Sequence, residues 1–316
     1  VKVFDLSIVI PIYNEEDNIA DLYQEIVEAL SGENISYEII FVNDGSKDKS
    51  EEIINEIGAK NPIVKGLHFK RNFGQTAAMA AGIEAGTGNL LGFLDGDRQN
   101  DPNDIPSMLK EFSNGYDVVV GWRKNRQDAV VSRKIPSKIA NYLIRRIGKV
   151  EVHDLGCTLK IFKRELIQDI KLYGEMHRFI PLYAEAAGGR IKEVVVNHRA
   201  RVAGETKYGI SRTFKVILDL IVVKFLLHYS TRPMHFFGIF SFSFFLMTVG
   251  CSFALMLHMY LHKISMIQSP LLVLSSVFLS LSVNSILLGL ISELLMRTYF
   301  SGNEKTSYNI KERVNF

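Results

Sequence analysis

Two aspartates one residue apart, Asp95 and Asp97, stand directly after the apolar run Leu90–Leu94. Two hard oxygen donors at the end of an extended segment suit Mg2+ or Mn2+, small cations that keep waters and take further ligands from phosphate oxygens. Gly96 between them lets the backbone turn so that both carboxylates converge. Alone, such a triplet is common and reads as a solvated turn. Here three further polar clusters also follow apolar runs: Pro11-Ile12-Tyr13-Asn14-Glu15-Glu16, Asn43-Asp44-Gly45-Ser46 and Arg71-Asn72-Phe73-Gly74. A second group of candidates is cationic and lies mid-chain: Arg126, Arg133, Lys134, Arg199, Arg201 and Lys207. Each alone reads as a surface charge. Together they form a set able to hold phosphate, arginine doing so with two prongs.

These clusters need elements to carry them. Leu6–Ile12, Tyr37–Val42, Val64–Phe69, Leu90–Leu94 and Asp117–Gly121 have the composition of short buried strands. Glu15–Leu30, Lys49–Ala59, Gln75–Ala85 and Pro106–Phe112 read as helices between them. Strand and helix alternating at this spacing predict an α/β domain with a mostly parallel sheet covered on both faces. Ligands of such sheets bind beyond the carboxyl ends of the strands, where the polar clusters fall. No G-x-G-x-x-G follows the first strand and no G-x-x-x-x-G-K-[ST] occurs, which disfavours a dinucleotide fold and excludes a P-loop NTPase.

The chain has 316 residues, 47% hydrophobic and 22% charged, too apolar for a disordered protein. Its two cysteines, Cys157 and Cys251, are far apart and make no disulfide scaffold. Charge is unevenly spread: residues 1–119 hold 9 Lys and Arg against 21 Asp and Glu, and residues 120–233 hold 23 against 10. A basic middle meets nucleic acid, phosphorylated ligands or anionic membranes; the apolar end that follows it favours the membrane and argues against nucleic acid. Residues 234–261 contain no Asp, Glu, Lys or Arg and extend roughly 40 Å as a helix, long enough to cross a hydrocarbon core. Residues 270–292 form a second uncharged run. Arg and Lys crowd the outer flanks, so the N-terminal domain and both termini are expected in the cytoplasm. Residues 6–13 are too short and too closely followed by charge for a secretory leader. Residues 211–232 mix apolar residues with Arg212, Lys215, Asp219 and Lys224 and read as amphipathic helices in the interface.

The combination P-I-Y-N-E-E (11–16), V-N-D-G-S-K-D-K-S (42–50), R-N-F-G-Q-T-A-A-M-A-A-G (71–82), L-D-G-D-R-Q-N-D-P (94–102) and V-V-G-W-R (119–123) resembles glycosyltransferase family 2, with its GT-A fold. D-L-G-C-T-L-K (154–160), H-R-F-I-P (177–181), H-R-A-R-V-A-G-E-T-K-Y-G (198–209) and the paired spans are similar to the polyisoprenyl-phosphate glycosyltransferases, of bactoprenol-glucosyltransferase type and related to dolichol-phosphate mannose synthase.

The resemblance implies inverting, metal-dependent transfer of a hexose, glucose first, from a nucleotide sugar such as UDP-glucose to a polyprenyl (undecaprenyl) phosphate. It places the enzyme in the bacterial inner membrane. Pro11, Tyr13, Glu15, Asp44, Asp95, Gly96 and Asp97 would hold the donor, Asp44 taking the uracil N3–H. Asp97, with Asp95, would hold Mg2+ or Mn2+. Arg126, Arg133, Lys134, Arg199, Arg201 and Lys207 would hold the acceptor phosphate. Asp154, with Asp97, is the catalytic candidate, acting as a weak base, a sugar ligand or an electrostatic partner; a turn cap is the bland reading. Cys157 reads as a small buried residue.

The division expected is a catalytic domain over 1–210, juxtamembrane helices over 211–232, two transmembrane helices over 233–297 and a cytoplasmic tail over 298–316. So small a membrane part is expected to self-associate into a homo-oligomer. Mannosyl or aminosugar transfer is the nearest alternative. A processive polysaccharide synthase would carry Q-x-x-R-W and more spans, whereas the single tryptophan, Trp122, sits in Gly121-Trp122-Arg123. A non-catalytic scaffold would have no need of both Asp95 and Asp97.

Overall fold

The computed structural model describes residues 4–124, 152–170, 172, 176–199, 225, 233–262, 265, 269–301 and 308–316. The chain forms two compact units: Val1–Val223 together with Thr306–Phe316, and Lys224–Lys305.

The first unit is built on one sheet. Strands β1 (Leu6–Ile12), β2 (Tyr37–Asn43), β3 (Val64–Phe69) and β4 (Leu90–Phe93) are parallel, in the order β3-β2-β1-β4. All but one of the seven β1 residues are buried, as expected of a strand covered on both faces. Helix α1 (Ile19–Leu30) turns Ile19, Leu22, Ile26 and Leu30 inward, one face of a 3.6-residue repeat. α2 (Ser50–Lys60) and α3 (Gln75–Ala85) complete the crossovers. α3 is mostly small residues, and it lies directly on β1: a Cβ on Gly82 would stand 2.1 Å from Val9 Cγ1. α4 (Ile105–Ser113) follows a short 3-10 turn at Pro102–Asp104.

Beyond β4 the sheet changes sense. β5 (Val118–Trp122) does not pair with β4; β6 (Lys160–Lys163) inserts between them, antiparallel to both. α5 (Arg164–Ile167) and α6 (Ile180–Ala186) lead to β7 (Ile191–Val195), parallel to β5 at the edge. The predicted strands and helices over residues 6–122 are present within a few residues. The first helix starts at Ile19 rather than Glu15, because Glu15 and Glu16 fold onto the loop after β2, their backbone N–H groups donating to Ser50 and Asp48.

The second unit is a helix pair, α7 (Pro233–His262) and α8 (Pro270–Ser301). Pro233–Leu261 and Pro270–Leu295 have the length and apolarity to cross a membrane. Their seam is polar and small: Ser241 and Ser282 hydroxyls lie 3.0 Å apart, Ser252 and Ser275 2.8 Å, and a Cβ on Gly289 would meet Met234 Sδ at 2.8 Å. Phe240, Leu246, Leu281 and Leu294 face outward. Of residues 211–232 only Phe225 is described, so the amphipathic segment lies outside the described residues.

One expectation fails. Residues 298–316 are not simply a tail: α8 continues to Ser301, and β8 (Ile310–Val314) pairs antiparallel with β3, closing that edge of the eight-stranded sheet. Tyr308 stacks on Phe69 with centroids 5.1 Å apart and donates to the Glu84 carboxylate of α3. Asn315 Nδ2 donates to the carbonyls of Gly58 at 2.7 Å and Val64 at 2.8 Å.

Candidate active site

The polar clusters meet at the carboxyl edge of β1 to β4 because their loops touch. Asp44, buried at the end of β2, accepts from the Phe73 N–H at 2.6 Å and the Gly74 N–H at 2.9 Å, tying the β2 loop to the β3 loop. Gly45 has φ +66°, and a Cβ there would stand 2.4 Å from the Arg71 carbonyl carbon, so only glycine allows this approach. Burial raises the Asp44 carboxyl above its ordinary range, against the lowering effect of those two N–H bonds and Arg71. The Arg71 guanidinium lies 4.1 Å from the Phe73 ring centroid.

Gly96 joins the first and fourth clusters. A Cβ on it would meet Ile12 Cδ1 at 2.6 Å and the Pro11 carbonyl at 3.3 Å. The Asp95–Asp97 turn therefore lies against the end of β1, beside Pro11 and Glu15. Glu15 itself accepts from Asn18 Nδ2 at 2.7 Å. A cleft of about 370 Å³ opens on the outer side, lined by Asn14–Asn18, Lys47 and Asp48; Asp44, Asp95 and Asp97 lie outside its lining.

Asp95 is held at both oxygens, by Gln75 Nε2 at 2.9 Å and Thr158 Oγ1 at 2.7 Å. Burial, then the neighbouring Asp97 charge, push its carboxyl up to about 6. Asp97 is buried and accepts from the Gln99 N–H at 3.2 Å. The Asp97 charge that raises Asp95 is what a divalent cation would relieve, so this pair fits Mg2+ or Mn2+. Among the described residues no cluster of three or more His, Cys, Asp or Glu could hold a metal, so any ion here keeps most of its positions for water and ligand oxygens.

Asp154 has a partner that sequence reasoning missed. Arg123, the residue after β5, grips it with Nε to Oδ2 at 2.7 Å and Nη2 to Oδ1 at 3.0 Å, both side chains nearly buried. The Asp154 N–H donates to Glu193 at 3.0 Å. The Asp154 charge, then its hydrogen bonds, raise the Arg123 guanidinium against the opposing effect of burial. Lys160 is buried alongside and donates to the Leu155 carbonyl at 2.9 Å; burial lowers its ammonium to about 8. Cys157 is buried as expected, its thiol pushed up to about 11 by burial, which makes it a poor nucleophile. His177 Nδ1 lies 2.7 Å from Thr76 Oγ1 at the start of α3. Arg123, Thr158 and Lys160 all sit inside segments that carried the resemblance, and that was the available signal.

The cations divide. Arg199 is engaged by Glu25 at 2.8 Å and Asp101 at 2.7 Å, on the α1 side of the Asp97–Asp101 loop. Arg126, Arg133, Lys134, Arg201 and Lys207 lie outside the described residues. Tyr13 is half-buried in the loop after β1.

A parallel sheet with an acidic pair at its switch to antiparallel strands is the arrangement of a GT-A glycosyltransferase. The family description Glycosyl transferase family 2 matches residues 7–171, and the chain belongs to that family. It is 42% identical to the dodecaprenyl-phosphate galacturonate synthase of Rhizobium johnstonii, over 99% of this chain and 94% of that protein. It is 36% identical to the undecaprenyl-phosphate 4-deoxy-4-formamido-L-arabinose transferase of Shewanella sediminis, over 68% of this chain and 65% of that protein. The fold is shared with glucosyl-3-phosphoglycerate synthase from Mycobacterium tuberculosis, solved with Mn2+, UDP and glucosyl-3-phosphoglycerate, at a TM-score of 0.53, 16% identity and coverage of 70% of this chain and 80% of that one.

Proposed function

We propose that the protein transfers a sugar from a nucleotide sugar to a polyprenyl phosphate at the cytoplasmic face of the membrane. The observation that carries this reading is the path of the chain. It leaves the catalytic unit, forms two apolar helices and returns to add β8 to the same sheet. A chain that returns to its own sheet crosses a bilayer an even number of times. Both flanks of the helix pair then lie on one side, the side the positive-inside rule makes cytoplasmic. An enzyme tied to the membrane at both ends of its helix pair suits an acceptor whose head group sits at that surface. The names of the relatives at 42% and 36% identity support the same acceptor class.

The donor binds with its base toward Asp44 and its diphosphate toward Asp95 and Asp97. Those two carboxylates would hold the divalent cation, which neutralises charge on the leaving diphosphate when bound. The acceptor needs no strong base. A phosphate monoester has its second ionisation near pH 6 and is mostly dianionic at about pH 7. It needs cations to hold it, and Arg126, Arg133, Lys134, Arg201 and Lys207 are proposed for that task. Asp154, fixed by Arg123, orients the sugar or stabilises positive charge developing on it.

The sugar is proposed to be a hexose or its uronic acid on UDP: glucose from the sequence resemblance, galacturonate from the relative matched over nearly its whole length. The test is radiolabelled transfer to undecaprenyl phosphate from a panel holding UDP-glucose, UDP-galacturonate, UDP-linked aminosugars and GDP-mannose. Transfer from one donor is expected. No lipid-linked product from any donor, with labelled sugar reaching a water-soluble acceptor instead, overturns the reading.

A further inference from the structure

The loop that carries Asp97 and the segment that leads into the proposed acceptor motif are held by the same side chain, Glu25 of α1. Arg98 follows Asp97 in a left-handed conformation, φ +59°, which directs its side chain away from the two aspartates toward α1. There its Nη2 and Nε donate to Glu25 Oε1 at 2.6 and 3.2 Å, and Nη1 also reaches Asp21. The other Glu25 oxygen, Oε2, accepts from Arg199 Nη1 at 2.8 Å. Arg199 returns to the loop twice more, through Nη2 to Asp101 at 2.7 Å and its N–H to the Gln99 carbonyl at 2.9 Å. An antiparallel bridge between Asn100 and His198 lies at the centre of this frame. Asn197 is tied to Asp104 at 2.7 Å.

We infer that Glu25 is a positioning residue that couples the donor-metal loop to the acceptor-binding segment. The inference rests on the proposed function above. Arg98 is fixed on α1 by Glu25 Oε1 and Asp21, and Arg199 by Glu25 Oε2, so Glu25 is the carboxylate the two arginines share. The side chain of Glu25 is only 19% exposed, so these charge-assisted bonds are partly shielded from solvent and hold their geometry. Asp97 adjoins Arg98, and Arg199 stands two residues before Arg201, so an ion that orders Asp97 orders Arg98, Glu25, Arg199 and the start of the acceptor motif in turn. The reverse holds equally, because coupling between two binding events is reciprocal.

The test uses the full-length protein in detergent micelles with UDP, MnCl2 and farnesyl phosphate as probes. In the wild type, saturating UDP with Mn2+ is expected to tighten farnesyl phosphate binding about tenfold, a common size for such coupling. Glu25→Gln, which keeps the shape, is expected to bring that ratio close to one while binding farnesyl phosphate alone as the wild type does. Arg199→Gln, which leaves the Glu25–Arg98 contact in place, is also expected to bring the ratio close to one, whatever its effect on farnesyl phosphate binding alone. Asp21→Asn, which removes a neighbouring charge that contacts Arg98 and not Arg199, is expected to keep the ratio. A ratio retained in either Glu25→Gln or Arg199→Gln, or lost equally in Asp21→Asn, overturns the inference. UDP binding that is independent of Mn2+ in the wild type overturns the metal assignment and the inference with it, whereas the transfer panel tests the functional reading separately. Coupling intact in wild type and Glu25→Gln alike overturns the role of Glu25 alone.

Discussion

Arg123 and Asp154 form a two-pronged ion pair between the end of β5 and the loop before β6, with all four interacting atoms within 3.0 Å of a partner. A carboxylate bonded in this way holds geometry first. Asp154→Asn is expected to lower transfer by one fixed factor across about pH 5–8, because the acceptor dianion has no proton to surrender. A mutant-to-wild-type ratio that moves steeply through that range in a pH–rate profile would show Asp154 acting as an obligatory base. The same substitution leaves Arg123 buried and unpaired, with a stability loss of about 3–5 kcal/mol, so rates must be normalised to folded enzyme. Arg123→Lys loses one prong and is expected to behave almost as badly.

Asp97→Asn keeps the shape of the loop but removes the charge that pushes Asp95 up and that a cation would need. UDP affinity in that variant is expected to lose most of its dependence on Mn2+ or Mg2+, as measured by titration calorimetry with and without metal. Transfer is expected to fall by at least about 100-fold, the several kcal/mol a Lewis acid contributes. Normal metal-stimulated turnover in Asp97→Asn would remove Asp97 from the metal site.

Lys160 gives a pH signature in stability. Its folded-state ionisation near 8 lies below the ordinary lysine value of 10.5, because burial disfavours its charge. Between those values the unfolded chain holds a proton that the folded chain has released. The contribution of this group therefore strengthens folding as pH rises from about 8 toward 10.5. Lys160→Met removes the effect. Melting temperatures of wild type and Lys160→Met should converge or cross in favour of the wild type as pH rises through that window. Parallel curves would mean that Lys160 keeps an ordinary ionisation.

Tyr308→Ala tests whether the closing strand matters to the catalytic unit. The ring is buried against Phe69 and its hydroxyl bonds Glu84. Losing both is expected to destabilise by about 3–5 kcal/mol in chemical denaturation. Tyr308→Phe should lose only the bond to a charged partner, about 1.5–3 kcal/mol. Deleting residues 306–316 should leave β3 an open edge and raise the tendency to aggregate, seen by light scattering. Unchanged stability in Tyr308→Ala would mean that β8 is dispensable.

The strands β1 to β5 were legible because each is a run of Ile, Val, Leu and Phe with polar punctuation, and burial on both faces leaves little else such a run could be. The placement of Asp44, Asp95 and Asp97 just beyond strand ends was legible for the same reason. β6 and β8 were not. Lys160-Ile161-Phe162-Lys163 is four residues long, and Ile310-Lys311-Glu312-Arg313-Val314 is charged and mostly exposed, so neither stands out as a strand. Their strand character comes from partners far away in sequence, β4 and β3. Glu25 was invisible for a related reason: on α1 it reads as one more solvated acid, and only the fold brings Arg98 and Arg199 to it. Likewise, residues 123 and 154 carry no local sign of each other.

The return of the chain to β3 also sets an order of events during synthesis. The residues of β8 emerge only after both apolar helices have been made, so the nascent catalytic unit waits with one edge unpaired while the hairpin of helices enters the bilayer. A helix pair inserted with the wrong sidedness, or with one crossing too few, would carry β8 to the far side of the membrane and leave that edge open. The last strand can therefore complete the sheet only in a chain whose helix pair returns it to the side of the catalytic unit.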